Sequence, residues 1–578
     1  MWPLTKSSMP TPANLHLEIQ SHRSNHYGII RSSFRSNGKV KHSNHGRISG
    51  IPLEKLRLLQ AAFRGEVIPK ASADAFQILS SREYGASHAL LQLARQLELP
   101  QILYSRNEPW IGPALVMIIG RIVYAGSKLA LSHQSPNTVL WELCGVEGKV
   151  DVDKHCYEVM DRLLERQPAI QRSLGKKHLK DGHLVLYDIT SSYFEGQYDD
   201  SDLVAFGYNR DGKRGHEQVV IALICNELGC PVGVEVFAGQ TQDASTVPAK
   251  IAEIQREYGI SQLIFVGDRG MITQANARKL QGTEGLQTIS ALTHRQIVDL
   301  LERKVITREL FDEKEIAEVL DPDNPKRRYC LCRNPETAKR ETRTRQSLLE
   351  LTRQKLEDIA AGRTSKKQTA QVGPDPAKTT KPKKKGKAPS AEKIGARVGR
   401  VLQRYKMGKF IKWSVVEGKL QWQLDQEKID AEQRFDGCYV VVAEVPPDKI
   451  ATAQVVASYK KLGFVEQAFR NLKTVQLEMR PVYHKKDDRI RAHVFICMLA
   501  YYVQWHARQR LKPLFDQDGQ GKERQWTFAG VIERLMAIRT NRVKSSGVEF
   551  DLHTEADAVQ RQILDLLAKK EDVAMNVK

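Results

Sequence analysis

The sequence predicts an α/β chain: a mixed sheet flanked by helices, preceded by a helical region and interrupted by a β-rich insertion before the last long helices. Three observations carry this. Apolar runs at 183–190, "QVVIALICN" (218–226), "PVGVEVFAG" (231–239) and "SQLIFVGDRG" (261–270) read as buried strands. Helical apolar spacing fills 51–180 and returns from about 450 to 511. Between these regions, strand-like runs at 409–425 and 437–445 follow a lysine-rich, low-complexity stretch.

In chain order, 1–50 is a basic arm rich in Arg, Lys, His, Ser and Asn. Its "LHLEIQSH" and "YGIIRSSF" alternate as hairpin strands do, and "MWPLTKSSMPTPANL" lacks the apolar core of a secretory signal. Residues 51–180 are expected to form a helical DNA-binding domain, from "ASHALLQLARQLELPQIL", "KHCYEVMDRLLERQPAIQRSL" and the overall charge. The first half of the sheet domain is 181–293, where "ELGC" with Gly229 turns one hairpin, a helix follows near 245–258, and the next strand ends at Asp268. The insertion is 294–450: a charged helical start (294–320), a disordered basic linker at about 362–392, then β strands 409–445 with a hairpin turning at Glu417-Gly418. Residues 451–511 return to the sheet domain as helices. The C-terminal region 512–578 holds a helix near 528–539, a polar strand-like piece at 541–553 and an amphipathic helix near 555–570.

The formal net charge is +21, which points to a polyanionic partner, nucleic acid before anionic membrane. No run of about 18 uncharged apolar residues is present, so no membrane span is expected, and 111–119 reads as a buried helix. Eight cysteines with one C-x-C pair, Cys330 and Cys332, lack zinc-finger spacing; they imply free thiols in a reducing cytoplasm and no structural zinc.

The chemistry starts from Asp188, a carboxylate inside the apolar strand "LVLYDITSSYFEG" (184–196). Unpaired in a strand core it costs several kcal/mol, roughly. A buried Lys or Arg partner is the ordinary explanation; a bound cation is the other. Downstream, in "TAQVVASYKKLGFVEQAFRNLKTV" (452–475), Tyr459, Glu466 and Lys473 are spaced by seven and share one helix face. A carboxylate between a phenol and an ammonium suits a face turned to metal and phosphate. Phosphoryl transfer on DNA uses two divalent cations held by a few carboxylates on rigid elements. Asp188, Asp268 and Glu466 are the candidate catalytic and metal-ligating residues.

The order strand-Asp, hairpin, helix, strand-Asp, long insertion, helix-Glu resembles the ribonuclease H-like core of DDE insertion-sequence transposases with the Y-(2)-R-(3)-E-(6)-K signature. "YDITSSYFEG" is similar to their first-Asp motif, "VFAGQTQDASTV" to the G-N-x-x-D-x-x-T element with Gln240 for Asn, and "FVGDRGM" to the second-Asp motif. The signature falls on Tyr459, Leu462, Glu466 and Lys473, so Leu462 departs at the Arg position, where Lys460, Lys461 or Arg470 would supply the charge. The second Asp and the Glu lie 466 − 268 = 198 positions apart, room for an inserted β domain. The resemblance covers roughly 180–510. It implies a Mg²⁺-dependent DNA transposase (two ions, Mn²⁺ substituting) that cuts at the ends of its own insertion sequence and joins 3′-OH ends to target DNA. It implies as partners the terminal inverted repeats and target DNA, a homodimer in the DNA complex, and a cytoplasmic, nucleoid-associated setting in a prokaryotic cell. Tyr459, Lys473, Arg470, Arg269 and Lys461 would contact DNA. Trp413 and Trp422 would either hold a flipped base or pack a hairpin core.

Singly, these residues have plain alternatives: Asp268 as a turn Asp, Glu466 as a solvated charge, Arg269 as a surface Arg. Asp243 and Thr246 fit as caps of the following helix. His216 approaches metals or DNA only under the transposase reading, and Glu195, Asp199, Asp200 and Asp202 fit a solvated acidic loop. The rival functions are a non-catalytic DNA-binding derivative, a two-metal nuclease without strand joining, and a basic structural protein.

Overall fold

The computed structural model describes residues 15–22, 25–36, 39–64, 76–210, 212, 215–269, 271–272, 276, 280, 283–312, 314–362, 390–475, 477–519, 525–545 and 548–569. The chain separates into two compact units, 1–162 with 503–578, and 163–502. Most of the lysine-rich linker expected at 362–392 lies outside the described residues.

The first unit joins both ends of the chain. Its N-terminal strands Leu15–His22, Asn25–Ser36 and Lys39–Ser49 form an antiparallel sheet in that order, three strands where a hairpin was expected. Leu17 and Leu56 are buried between this sheet and the helix Leu53–Phe63. The apolar run at 111 forms the helix Ile111–Val123, buried along nearly its whole length. A second small sheet has Arg539–Ser545 at its centre, paired with Gln77–Glu83 on one side and Val548–His553 on the other. Buried Glu83 accepts the N–H groups of Ala86 (2.8 Å) and Ser87 (3.2 Å), which satisfies two orphan donors at the start of the helix Gly85–Gln96.

The second unit is built on one mixed sheet. Its strands are β1 (Leu184–Tyr193), β2 (Gln218–Asn226), β3 (Pro231–Ala238), β4 (Leu263–Gly267), β5 (Leu286–Ala291), β6 (Ala317–Asp321) and β7 (Asn324–Arg333). A separate hairpin, β8 (Ile411–Val416) with β9 (Lys419–Leu424), turns at Glu417-Gly418 as expected, and β10 (Cys438–Ala443) closes the set. The eight-stranded order is β6-β7-β10-β5-β4-β1-β2-β3. Strands β1, β4 and β5 are parallel, and β2 runs against both β1 and β3. Uninterrupted apolar sequence suits strands covered on both faces, and β2 and β4 are buried throughout.

Helices α1 (Asp243–Tyr258) and α2 (His294–Glu302) follow β3 and β5. The insertion carries α3 (Pro335–Ala360), α4 (Ala391–Tyr405) and α5 (Gln426–Gln433), and then come α6 (Thr452–Lys460) and α7 (Leu462–Arg470). The insertion departs from the expected separate β domain. Its strands β6, β7 and β10 continue the main sheet at the edge of β5, where Val441 pairs with Ala291. Only the β8–β9 hairpin stands apart, packed with α3 and α4 around Leu356, Val398 and Phe410. The charged stretch at 294–320 holds α2, which ends at Glu302, and a 3-10 turn at Arg308–Leu310 before the strand β6. Among the described residues, no helix is long and apolar enough to cross a membrane.

Candidate active site

Parallel pairing of β1 with β4 sets two carboxylates side by side. Tyr187 is the register partner of Gly267, so the next residues, Asp188 and Asp268, arrive at adjacent positions toward the carboxyl ends of the strands. That end of a parallel α/β pair is where ligands bind. Asp188 is half-buried between buried Tyr187 and Ile189, and its carboxylate accepts the Ile189 N–H at 2.7 Å. The Tyr187 hydroxyl donates to Thr246 Oγ1 of α1 at 3.0 Å and ties β1 to that helix. Thr246 is therefore a buried tether, and Gln242, at the N-cap of α1, makes no side-chain capping bond.

Glu466 is the third carboxylate. Leu462, Val465, Ala468 and Phe469 are buried, which holds α7 down while Glu466 stays exposed. Burial pushes the Asp188 carboxyl up to about 7, and the negative charges of Asp268 and Glu466 add to the rise. The Ile189 N–H and the Arg210 guanidinium oppose it. The structure thus brings Asp188, Asp268 and Glu466 into one field. They do not all close within 4.8 Å of one another, so the cluster is an open one. The donors are all oxygens on packed elements, the type Mg²⁺ prefers, and a cation would relieve the like-charge crowding that raises the Asp188 proton affinity.

The expected single helix over 452–475 is broken. It stops at Lys460, resumes at Leu462, and ends in a π-helical turn at Asn471–Val475. Gly463, which weakens a helix, lies just past the break. The stripe still meets the sheet. The Tyr459 hydroxyl donates to Asp268 Oδ1 at 3.1 Å. Burial first, and then the charge of Asp268, raise the Tyr459 pKa and keep that proton in place. Lys473 is 8% exposed, and its Nζ donates to Thr190 Oγ1 at 2.5 Å. Thr190 is two residues beyond Asp188 and so faces the same side of β1.

The remaining expected DNA contacts divide. Arg269 is exposed beside Asp268, and its charge reaches Tyr459. Arg470 is exposed at the end of α7. Lys461 pairs with Glu227 at 3.6 Å, in a cleft lined by His183 and Leu184 at the start of β1. That is roughly 13 Å along the strand from Asp188, and Leu462, at the signature's Arg position, is itself buried. Trp413 and Trp422 are direct partners across the β8–β9 hairpin. Trp422 packs on the insertion's own core, and Trp413 is 40% exposed. His216 donates from Nδ1 to the Phe194 carbonyl at 3.2 Å.

Two groups were missed. Arg210, whose charge acts on Asp188, sits in the loop between β1 and β2, where its N–H donates to Ser191 Oγ at 3.0 Å. The signal was the basic cluster "NRDGKRGH" (209–216). Phe206 and Tyr208 on the same loop are 65% and 83% exposed. Second, a cavity of about 480 Å³ opens beside Lys473, lined by Tyr193, Glu195, Arg480 and Tyr483, with the Arg480 guanidinium 4.7 Å above the Tyr193 ring.

A family model described as "Transposase DDE domain" matches residues 183–503. Curated proteins give no match. One solved structure that the chain resembles is the "Cryo-EM structure of piggyBac transposase synaptic complex with hairpin DNA", at 10% identity, covering 78% of this chain and 76% of that one, with a TM-score of 0.34.

Proposed function

The chain belongs to the DDE transposase family, and from that premise we propose that it cuts donor DNA at the ends of its own insertion sequence and joins the released 3′-OH ends to target DNA. The strand order β3-β2-β1-β4-β5, with β2 alone reversed, supports a ribonuclease H-like core, 181–293 with 451–511. The observation that carries the reading is the parallel register that sets Asp188 beside Asp268, with Tyr459, seven residues before Glu466, donating to Asp268.

Asp188, Asp268 and Glu466 would hold two Mg²⁺ ions, with Mn²⁺ substituting. When bound, the ions activate the attacking oxygen and neutralise the leaving one. The chain does the rest. Tyr459 fixes the rotamer of Asp268 by its hydrogen bond. Lys473, anchored on Thr190, places a positive charge beside Asp188, where a phosphate of the transferred strand would lie. Arg210, Arg269 and Arg470 draw the DNA backbone toward the same end of the sheet. Trp413 keeps an open face for stacking an unpaired base. No protein nucleophile is needed, and the active complex is taken as a homodimer with one element end per protomer.

The test is Mg²⁺-dependent cleavage of a duplex carrying the flanking element end, followed by joining of labelled 3′-OH ends. Wild type should cut and join. Glu466→Gln should lose both by about a hundredfold or more while still binding the end. Equal cleavage by both proteins removes Glu466 from the site; cleavage without joining makes the chain a nuclease.

A further inference from the structure

The first and third carboxylates sit on elements whose starts meet at one acid. Strand β1 begins just after His183, five residues before Asp188 (188 − 183), and α7 begins just after Lys461, five residues before Glu466 (466 − 461). Glu227 stands between them, in the turn that joins β2 to β3. Val185 pairs with Asn226, so the next residue of the turn lies level with the start of β1. Glu227 Oε1 is 3.1 Å from His183 Nδ1, and its Oε2 is 3.6 Å from Lys461 Nζ. A carboxylate can only accept, so His183 donates from Nδ1. The turn itself is locked. Asn226 Oδ1 accepts the N–H groups of Leu228 at 3.0 Å and Cys230 at 2.9 Å, and the Asn226 N–H donates to the Cys230 carbonyl at 3.0 Å. Gly229, in the same turn, abuts α7: a Cβ there would lie 2.7 Å from Phe464 Cβ.

The helix break gives this contact its weight. Because the helix stops at Lys460 and resumes at Leu462, α7 does not inherit its direction from α6. Leu462, Val465, Ala468 and Phe469 press α7 onto β1, but apolar contact is non-directional and resists lifting more than sliding. Under α6 the packing is open: a cavity of about 500 Å³ is lined by His183, Glu227, Gln454, Ser458 and Lys461. Glu227 is 17% exposed beside this space, so its pairing is screened less than a surface pair. We infer that Glu227 is a positioning residue for cleavage. By holding the starts of β1 and α7 to one carboxylate, it sets how far Glu466 stands from Asp188 along the sheet. It touches no DNA and acts through Glu466, and the inference rests on the transposase reading of that acid. Lys461 is on this account part of the seat of α7 and not of the DNA surface.

The experiment compares Glu227→Gln, Lys461→Met and the double variant with the wild type, each as the full chain. Each single variant should cut the element-end duplex in Mg²⁺ about three- to fivefold more slowly, the effect of one part-exposed pair. Each should bind that duplex, without metal, as tightly as the wild type. The double variant should be no slower than the slower single, because both changes remove the same contact. In the free, metal-free protein, hydrogen exchange across 464–470 should be about threefold or more faster in Glu227→Gln. Unchanged cleavage in either single variant, losses that multiply in the double, or unchanged exchange at 464–470 overturns the proposal. So does weaker end binding by Lys461→Met alone, which would make that lysine a DNA contact. If the wild type cuts nothing, the transposase reading fails by itself, and the exchange comparison still decides whether Glu227 seats α7.

Discussion

With no cation bound, Asp188 shares its surroundings with two other carboxylates, and its proton affinity rises accordingly. The sign follows from the reference state. A free Asp titrates near 4 and Asp188 in the fold at about 7, so its contribution is complete below about 4 and is lost as pH climbs through 7, at roughly 1.4 kcal/mol per unit. Metal-free protein should therefore melt at lower temperature at pH 8 than at pH 5. Mg²⁺ should raise the melting temperature more at pH 8, as thermal scans in chelator and in Mg²⁺ will show. Asp188→Asn should abolish cleavage yet flatten that pH slope and stabilise the metal-free chain. Tyr459→Phe, which removes one hydrogen bond to Asp268, should slow cleavage by about three- to tenfold with end binding intact. The carboxylates were legible in the sequence because each breaks a local rule: Asp188 is charged within an apolar strand, and Glu466 lies on a patterned stripe. Arg210 was not, since a loop residue has no periodicity to violate. Nor was the fate of Lys461, whose partner Glu227 belongs to a distant turn.

The strands of the sheet were legible as elements wherever apolar runs were unbroken, as in β1, β2 and β4. Strand β7 was not, because "NPKRRYCLCR" opens with proline and three basic residues, a composition that argues against a buried strand. Arg328 in it is nonetheless 1% exposed, a burial that only its partners explain. The broken helix was hidden too, since seven-residue spacing looks the same whether α6 and α7 are one rod or two. Gly229 couples these elements. Its φ of +84° turns β2 into β3, and a Cβ there would meet the Phe464 Cβ of α7 at 2.7 Å. Gly229→Ala should cost about 1–3 kcal/mol in denaturant unfolding and also lower cleavage, because α7 carries Glu466. Gly182→Ala, with φ +76° but open space around it, should cost stability alone.

Across the second unit, the insertion and the sheet domain are one hydrogen-bonded body. Arg328 of β7 donates to the Val445 carbonyl at 2.8 Å, to the Ile450 carbonyl at 2.5 Å and to Glu318 at 3.0 Å. Glu318 also accepts the Thr452 hydroxyl at 2.6 Å, at the first residue of α6. Arg328→Met should destabilise the protein by about 3–5 kcal/mol, measured by urea midpoint, because it strands Glu318 and two carbonyls. That the insertion joins the sheet could not be read from the sequence, where strand order in space leaves no local mark.

The same continuity bears on synthesis. Asp188 and Asp268 leave the ribosome 80 residues apart (268 − 188), but Glu466 follows 198 residues later. At about 5–20 residues per second that last interval is roughly 10–40 s. Meanwhile the edge of β5 waits for β10, since β6 and β7 reach the sheet only through it. A nascent chain, or one truncated anywhere in the insertion, carries both aspartates and the basic arm yet has no Glu466 to complete the carboxylate cluster. If the three carboxylates act together, the order of translation alone keeps the site incomplete until the insertion has been made.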